Sequence, residues 1–105
     1  LSPAASALSS PSPDAAYEKA VQMNQADEPV SAIIELKNAL KADPKHLPSL
    51  VLAAEIYLEQ SLGRAAELSL REALEAGGDR NLLLPMLGEA LLQQGKWTRL
   101  LGELN

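Results

Sequence analysis

Residues 16–40 read AYEKAVQMNQADEPVSAIIELKNAL, and residues 50–74 read LVLAAEIYLEQSLGRAAELSLREAL. Laid over one another at an offset of 34 they agree in size class: Ala20 falls on Ala54, Met23 on Tyr57, Ala32 on Ala66, Leu36 on Leu70 and Ala39 on Ala73. A further step of the same length carries Ala54 to Gly88, Tyr57 to Leu91 and Leu70 to Leu104. The chain is therefore an internal repeat, in which small residues recur where two helices must approach closely and larger aliphatic ones fill the space between them.

Punctuation places the helices within each frame. Ser12-Pro13-Asp14 supplies a cap, a residue suited to the first helical position and an acid that complements the helix dipole. A first helix is expected from there to about Ala26, with Ala16, Ala20 and Met23 inward and Tyr17 beside them. Asp27-Glu28-Pro29 stops it and starts a second, to about Ala42, which buries Ile33, Leu36, Ala39 and Leu40. Asp43-Pro44 ends that one. A third, about Pro48 to Gln60, presents Leu50, Ala53, Ala54 and Tyr57. A fourth, about Gly63 to Ala76, turns Ala66, Leu70, Ala73 and Leu74 inward and ends on Gly77-Gly78. In the last frame Pro85 interrupts an apolar run, so the fifth helix is expected either to start as late as Leu84 or to bend there. It runs to Gln94, and Trp97 to Leu104 begin a helix that stops short. The fold expected is all-α, a solenoid of antiparallel helix hairpins with about two and a half repeats: 13–46, 47–80 and a partial 81–105. Residues 1–12, uncharged and rich in Ser, Ala and Pro, read as a tether.

Composition agrees with helix and narrows function. The 105 residues are dominated by Leu and Ala, with 3% aromatic residues and no Phe, so the core must be aliphatic. A net charge of −5 and a pI near 4.8 argue against nucleic acid, whose phosphates need a basic stripe. The absence of Cys excludes disulfides, thiol catalysis and Cys-based metal sites, and leaves the redox compartment open. No run approaches the roughly 20 apolar residues of a membrane span, and no signal-peptide pattern is present. A start at Leu1 rather than Met reads as a processed end or the edge of a longer chain.

Reactive groups do not converge. His46, the only histidine, sits in the loop between two frames, where a solvated or capping role is expected rather than a metal. There is no HExxH, no phosphate-binding glycine loop and no nucleophile elbow. Glu35, Glu55, Glu59, Glu67, Glu72, Glu75 and Glu89 read as wetted helix faces, with Glu55 and Glu59 close enough at four residues apart to share a cation. No enzyme, cofactor or metal is expected.

The period of 34 with this order of small and large residues resembles the tetratricopeptide repeat (TPR) family. That resemblance implies helix pairs stacked into a superhelix whose hollow, faced by the first helix of each pair, holds a protein or peptide. Carried onto this chain, the implied lining is Tyr17, Val21, Asn24, Val51, Glu55, Leu58, Glu59, Leu82, Glu89, Leu92 and Gln93. This apolar groove with an acidic rim would suit a partner offering aliphatic or aromatic anchors beside Lys or Arg. Leu58 and Leu92 are equally open to a packing role. TPR domains that grip acidic chaperone tails hold the carboxylate with Lys and Asn, and the matching places here carry Tyr17, Val21, Leu52 and Met86, so that clamp is missing.

A narrower resemblance rests on IELKNAL followed by DP, on REALEAGGD and on LLLPMLGEALLQQGKWTRLLGEL. Over about residues 15–104 these are similar to the opening repeats of PrsT, the TPR family of the PEP-CTERM/exosortase system. It implies a lipoprotein-like member of a longer array serving exopolysaccharide export, periplasmic or outer-membrane-associated, with a cytoplasmic location as the alternative.

Two and a half repeats are marginal alone. Burying a Leu-sized side chain contributes roughly 1.5–3 kcal/mol, against roughly 1.5 kcal/mol to order each residue. The chain is thus expected either to belong to a longer array or to cover its open C-terminal end by self-association. Trp97, Leu101 and Leu104 are the expected contact of a homodimer in that second, structural reading.

Overall fold

Each helix begins and ends where local chemistry dictates. In the computed structural model, which describes residues 12–96, the order is α1 (Pro13–Gln25), α2 (Pro29–Ala42), α3 (Leu47–Glu59), α4 (Gly63–Glu75) and α5 (Arg80–Gln93). There is no strand among the described residues. None of these helices is long and apolar enough to cross a membrane. The tether 1–12, apart from Ser12, and the segment Trp97 to Leu104 with its proposed contacts lie outside the described residues.

Ser12 caps α1 by accepting the Ala15 N–H at 3.1 Å, with Pro13 in the first helical position. Asp79 does the same for α5, accepting the Asn81 N–H at 2.9 Å. The α2 and α4 starts have no side-chain cap. They follow directly from a tight turn that occurs three times at the same spacing. Asp27 (φ 61°), Ser61 (φ 60°) and Gly95 (φ 72°) all adopt the left-handed conformation. The N–H of the next residue then reaches back to the preceding helix: Glu28 to the Met23 carbonyl at 2.9 Å, Leu62 to Tyr57 at 2.8 Å and Lys96 to Leu91 at 2.9 Å. These satisfy carbonyls that would otherwise be orphaned at a helix C-terminus. The period of 34 is thus present in backbone geometry as well as in side-chain size.

Of the two alternatives for Pro85, the late start at Leu84 is not the one seen: α5 starts at Arg80 and continues through Pro85, which occupies its sixth position. The Asp79 cap fixes the start, and the missing proline donor costs only one bond, to the Asn81 carbonyl.

The chain divides after His46 into two compact units. In the first, α1 packs on α2, and Ala16, Ala20, Ala32, Leu36 and Ala39 are buried. Met23, Ile33 and Leu40 are only half-buried at their margins. In the second, α4 packs on both α3 and α5. Its core comprises Leu50, Leu52, Ala53, Ala54, Ile56, Leu58, Ala66, Leu70, Ala73, Leu83, Leu87, Ala90 and Leu91. Gly88 is buried as well, whereas Tyr57 and Leu74 are half-buried.

Two glycines set the closeness of the second unit. A Cβ on Gly63 would lie 2.8 Å from both the Ala90 carbonyl oxygen and Gln93 Cβ, so α4 begins against the backbone of α5. A Cβ on Gly78 would meet Leu83 Cδ1 at 2.5 Å and Leu47 Cδ2 at 3.2 Å. The starts of α3 and α5 therefore converge on that turn. At the far end Gln93 donates its side-chain N–H to the Leu58 carbonyl at 3.1 Å. α3 and α5 thus meet at both of their ends, while α4 packs on each of them.

Candidate functional site

The eleven residues expected to line a groove are divided between the units. Tyr17, Val21 and Asn24 lie half-buried on α1 in the first. The other eight belong to the second, where the α3–α5 pair gathers them. On α3, Val51 is half-buried, Glu55 and Glu59 are exposed, and Leu58 is 8% exposed, which makes it a core residue. On α5, Leu82 is 51% and Leu92 40% exposed, with Glu89 exposed between them and Gln93 exposed just beyond. Residues three, four, seven and eleven apart share a helix face. Leu82, Glu89 and Gln93 therefore form one stripe, Val51, Glu55 and Leu58 another, and the Gln93–Leu58 hydrogen bond lies where they adjoin.

This face is apolar and acidic. Burial, and then the charge of Glu59 one turn along, hold the Glu55 carboxyl above its usual range. Ionised Glu55 thus faces a like charge, a situation that an incoming cation would relieve. Among the described residues no group of three His, Asp or Glu could hold a metal ion. Burial likewise raises the Tyr57 phenol.

The outer side of α4 has a different character. Leu62 and Leu68 are 51% and 62% exposed. With Arg64, Arg71 and Lys96 they line an open groove of about 810 Å³. Beneath it lies Glu67, only 7% exposed. Its carboxylate accepts from Arg71 Nε at 2.9 Å, Gln94 Nε2 at 2.8 Å and Lys96 Nζ at 3.2 Å. Glu67 therefore does not belong to a wetted face with the other glutamates; it is the buried centre of a polar cluster tying the end of α5 to α4. Arg71, one turn along the same helix, was a visible hint, but Gln94 and Lys96 are 27 and 29 residues away and no local pattern joins them.

His46 in the first unit is also placed by a distant partner. Its Nε2 lies 2.7 Å from Asp14 Oδ1 at the start of α1. Its ring meets that of Tyr17 edge-on, 6.0 Å between centroids. The imidazole clasps the loop after α2 to the first turn of α1, a structural use that engages Tyr17 as well.

Set against known proteins, the chain finds no matching family model, no matching curated protein and no matching solved structure.

Proposed function

We propose that this chain is a non-enzymatic interaction scaffold, a piece of a longer TPR-like array, and that its α3–α5 face holds a partner segment. The observation that carries the reading is the meeting of the Leu82, Glu89 and Gln93 stripe of α5 with the Val51, Glu55 and Leu58 stripe of α3 at the Gln93–Leu58 bond, with Leu82 and Leu92 left exposed. Exposed aliphatic side chains beside unneutralised carboxylates favour a segment with aliphatic anchors flanked by Lys or Arg. The recurrence of one turn geometry at 34 residues supports the repeat reading. Service in bacterial envelope or exopolysaccharide export is part of the proposal and rests on the resemblance of the IELKNAL, REALEAGGD and QGK stretches to PrsT.

The test is binding of two labelled model peptides, an amphipathic Lys/Leu helix and its Glu/Leu counterpart. The Lys/Leu peptide should bind and the Glu/Leu peptide should not, with binding weakened about tenfold by Leu92→Asp or Glu59→Lys. Both positions are exposed, so circular dichroism should be unchanged. Equal binding of the two peptides, or indifference to both substitutions, would remove the α3–α5 face as the docking surface.

A further inference from the structure

We propose that the open groove on the outer side of α4 is the seat of this chain's own residues 97–105, which close it as a short helix laid along α4. The groove adjoins the place where the described residues end. Lys96, the last of them, is part of the lining, together with Gln94 and with Leu62, Ala65 and Leu68 of the α4 side. Gln94 Nε2 and Lys96 Nζ are both held by the Glu67 carboxylate, at 2.8 and 3.2 Å. Residue 97 is therefore delivered to the edge of the groove.

Direction comes from the third of the repeated turns. After Asp27 and after Ser61 a helix begins two residues on, at Pro29 and at Gly63, and packs back on the helix that precedes the turn. Gly95 has the same left-handed backbone, and Lys96 makes the same return bond to Leu91. Trp97 is thus the corresponding first residue, and a helix begun there runs back along α5. Because α4 begins where α5 ends, with Gly63 against Ala90 and Gln93, that helix lies alongside α4 and runs in the same sense.

Length and side-chain order agree with this seat. The lining on the α4 side extends from Leu62 to Arg71, about 13 Å at the helical rise, and the stretch WTRLLGELN spans nearly the same distance as a helix. Trp97, Leu100, Leu101 and Leu104 stand at i, i+3, i+4 and i+7, which is one helix face. At the 34-residue offset Leu100 and Leu104 fall on Ala66 and Leu70, both fully buried, so they belong against α5. The flank of the same helix then covers Leu62 and Leu68. Its charged side chains, Arg99 and Glu103, are of opposite sign, so the fit does not depend on the net charge of the groove. The contact is made within one copy and is independent of whether the α3–α5 face holds a partner.

Nuclear magnetic resonance of the whole chain tests this. Methyl protons of Leu62 and Leu68 should show Overhauser contacts to residues 97–105, and the backbone amides of that stretch should exchange with solvent severalfold more slowly than in the same nine residues as a free peptide. Both results should be independent of protein concentration. Leu62→Asp and Leu68→Asp, at positions 51% and 62% exposed, should each bring exchange in 97–105 back toward the free-peptide rate while α4 and α5 stay protected. Ile34→Asp, at the equivalent register in the first unit and likewise exposed, should leave that rate unchanged. Free-peptide exchange in the wild-type chain would overturn the proposal, since the groove would then be left for another molecule. Contacts seen only between differently labelled copies in a mixed sample would overturn it in favour of a second chain. Protection indifferent to both groove substitutions would overturn it by placing the stretch elsewhere.

Discussion

Gly63 shows how much one missing side chain can decide. It opens α4 and lies against the Ala90 carbonyl oxygen and Gln93 Cβ, neither of which can swing aside. Gly63→Ala must therefore push α4 away from α5, and a loss of about 1–3 kcal/mol is expected on urea denaturation despite the better helix propensity of alanine. An unchanged midpoint would mean that the two helices do not meet this closely. In sequence, Gly63 reads only as a permissive start after Ser61-Leu62; the need for glycine comes from residues almost thirty positions away. Glu55 offers the opposite lesson, since its spacing from Glu59 was plain but its partial burial was not. Its carboxyl is held above the usual range, so the folded state binds that proton more tightly than the unfolded chain does. Stability from this group is complete below the ordinary carboxylate value and declines as pH rises through the shifted one. Glu55→Gln should accordingly stabilise the protein at neutral pH, with the gain vanishing below about pH 4.5. Thermal melts across that range would show it, and a gain independent of pH would contradict it.

Among the elements, the helices were legible because their ends are marked chemically. Ser12, Pro29 and Gly63 each fall where the sequence puts a helix start, and every terminus expected for α1 to α4 lies within a residue of the observed one. Small residues at Ala20, Ala54 and Gly88 gave the buried side of each first helix for the same reason: they leave room that only a neighbouring helix can fill. For α5 the proline leaves two alternatives open in sequence, a late start or a bend, and the Asp79 cap six residues upstream fixes the start. The polar tie between α4 and the end of α5 was not legible at all. Glu67 looks like any other surface glutamate until Gln94 and Lys96 arrive beside it. Glu67→Ala should cost about 2 kcal/mol, because charge-assisted bonds of a nearly buried carboxylate are lost and their donors must find other partners. Glu72→Ala, on the exposed side of the same helix, should change stability by less than about 0.5 kcal/mol. Equal effects at the two positions would show that the cluster contributes nothing.

For the whole molecule, sequence supplied the class and the spacing, and the structure supplied the grouping. The all-helical character follows from composition and period together. The face proposed to hold a partner needed something more, namely that the ends of α3 and α5 meet at Gly78 and through the Gln93–Leu58 bond. Nor does the sequence say that Leu58 is withdrawn into the core while Leu92 is left outside.

The joints at Asp27, Ser61 and Gly95 act as marks on a ruler. Removing residues 27–60 would set Ser61 directly after Ala26, in the place Asp27 had held, and the severed joint would re-form with the same backbone bond. Losing one residue from within a helix would instead turn everything beyond it by about 100° and carry its inward side chains out of phase. Length can therefore change without loss of phase only in whole steps of 34 residues, by copying or dropping a segment between equivalent joints rather than by trimming.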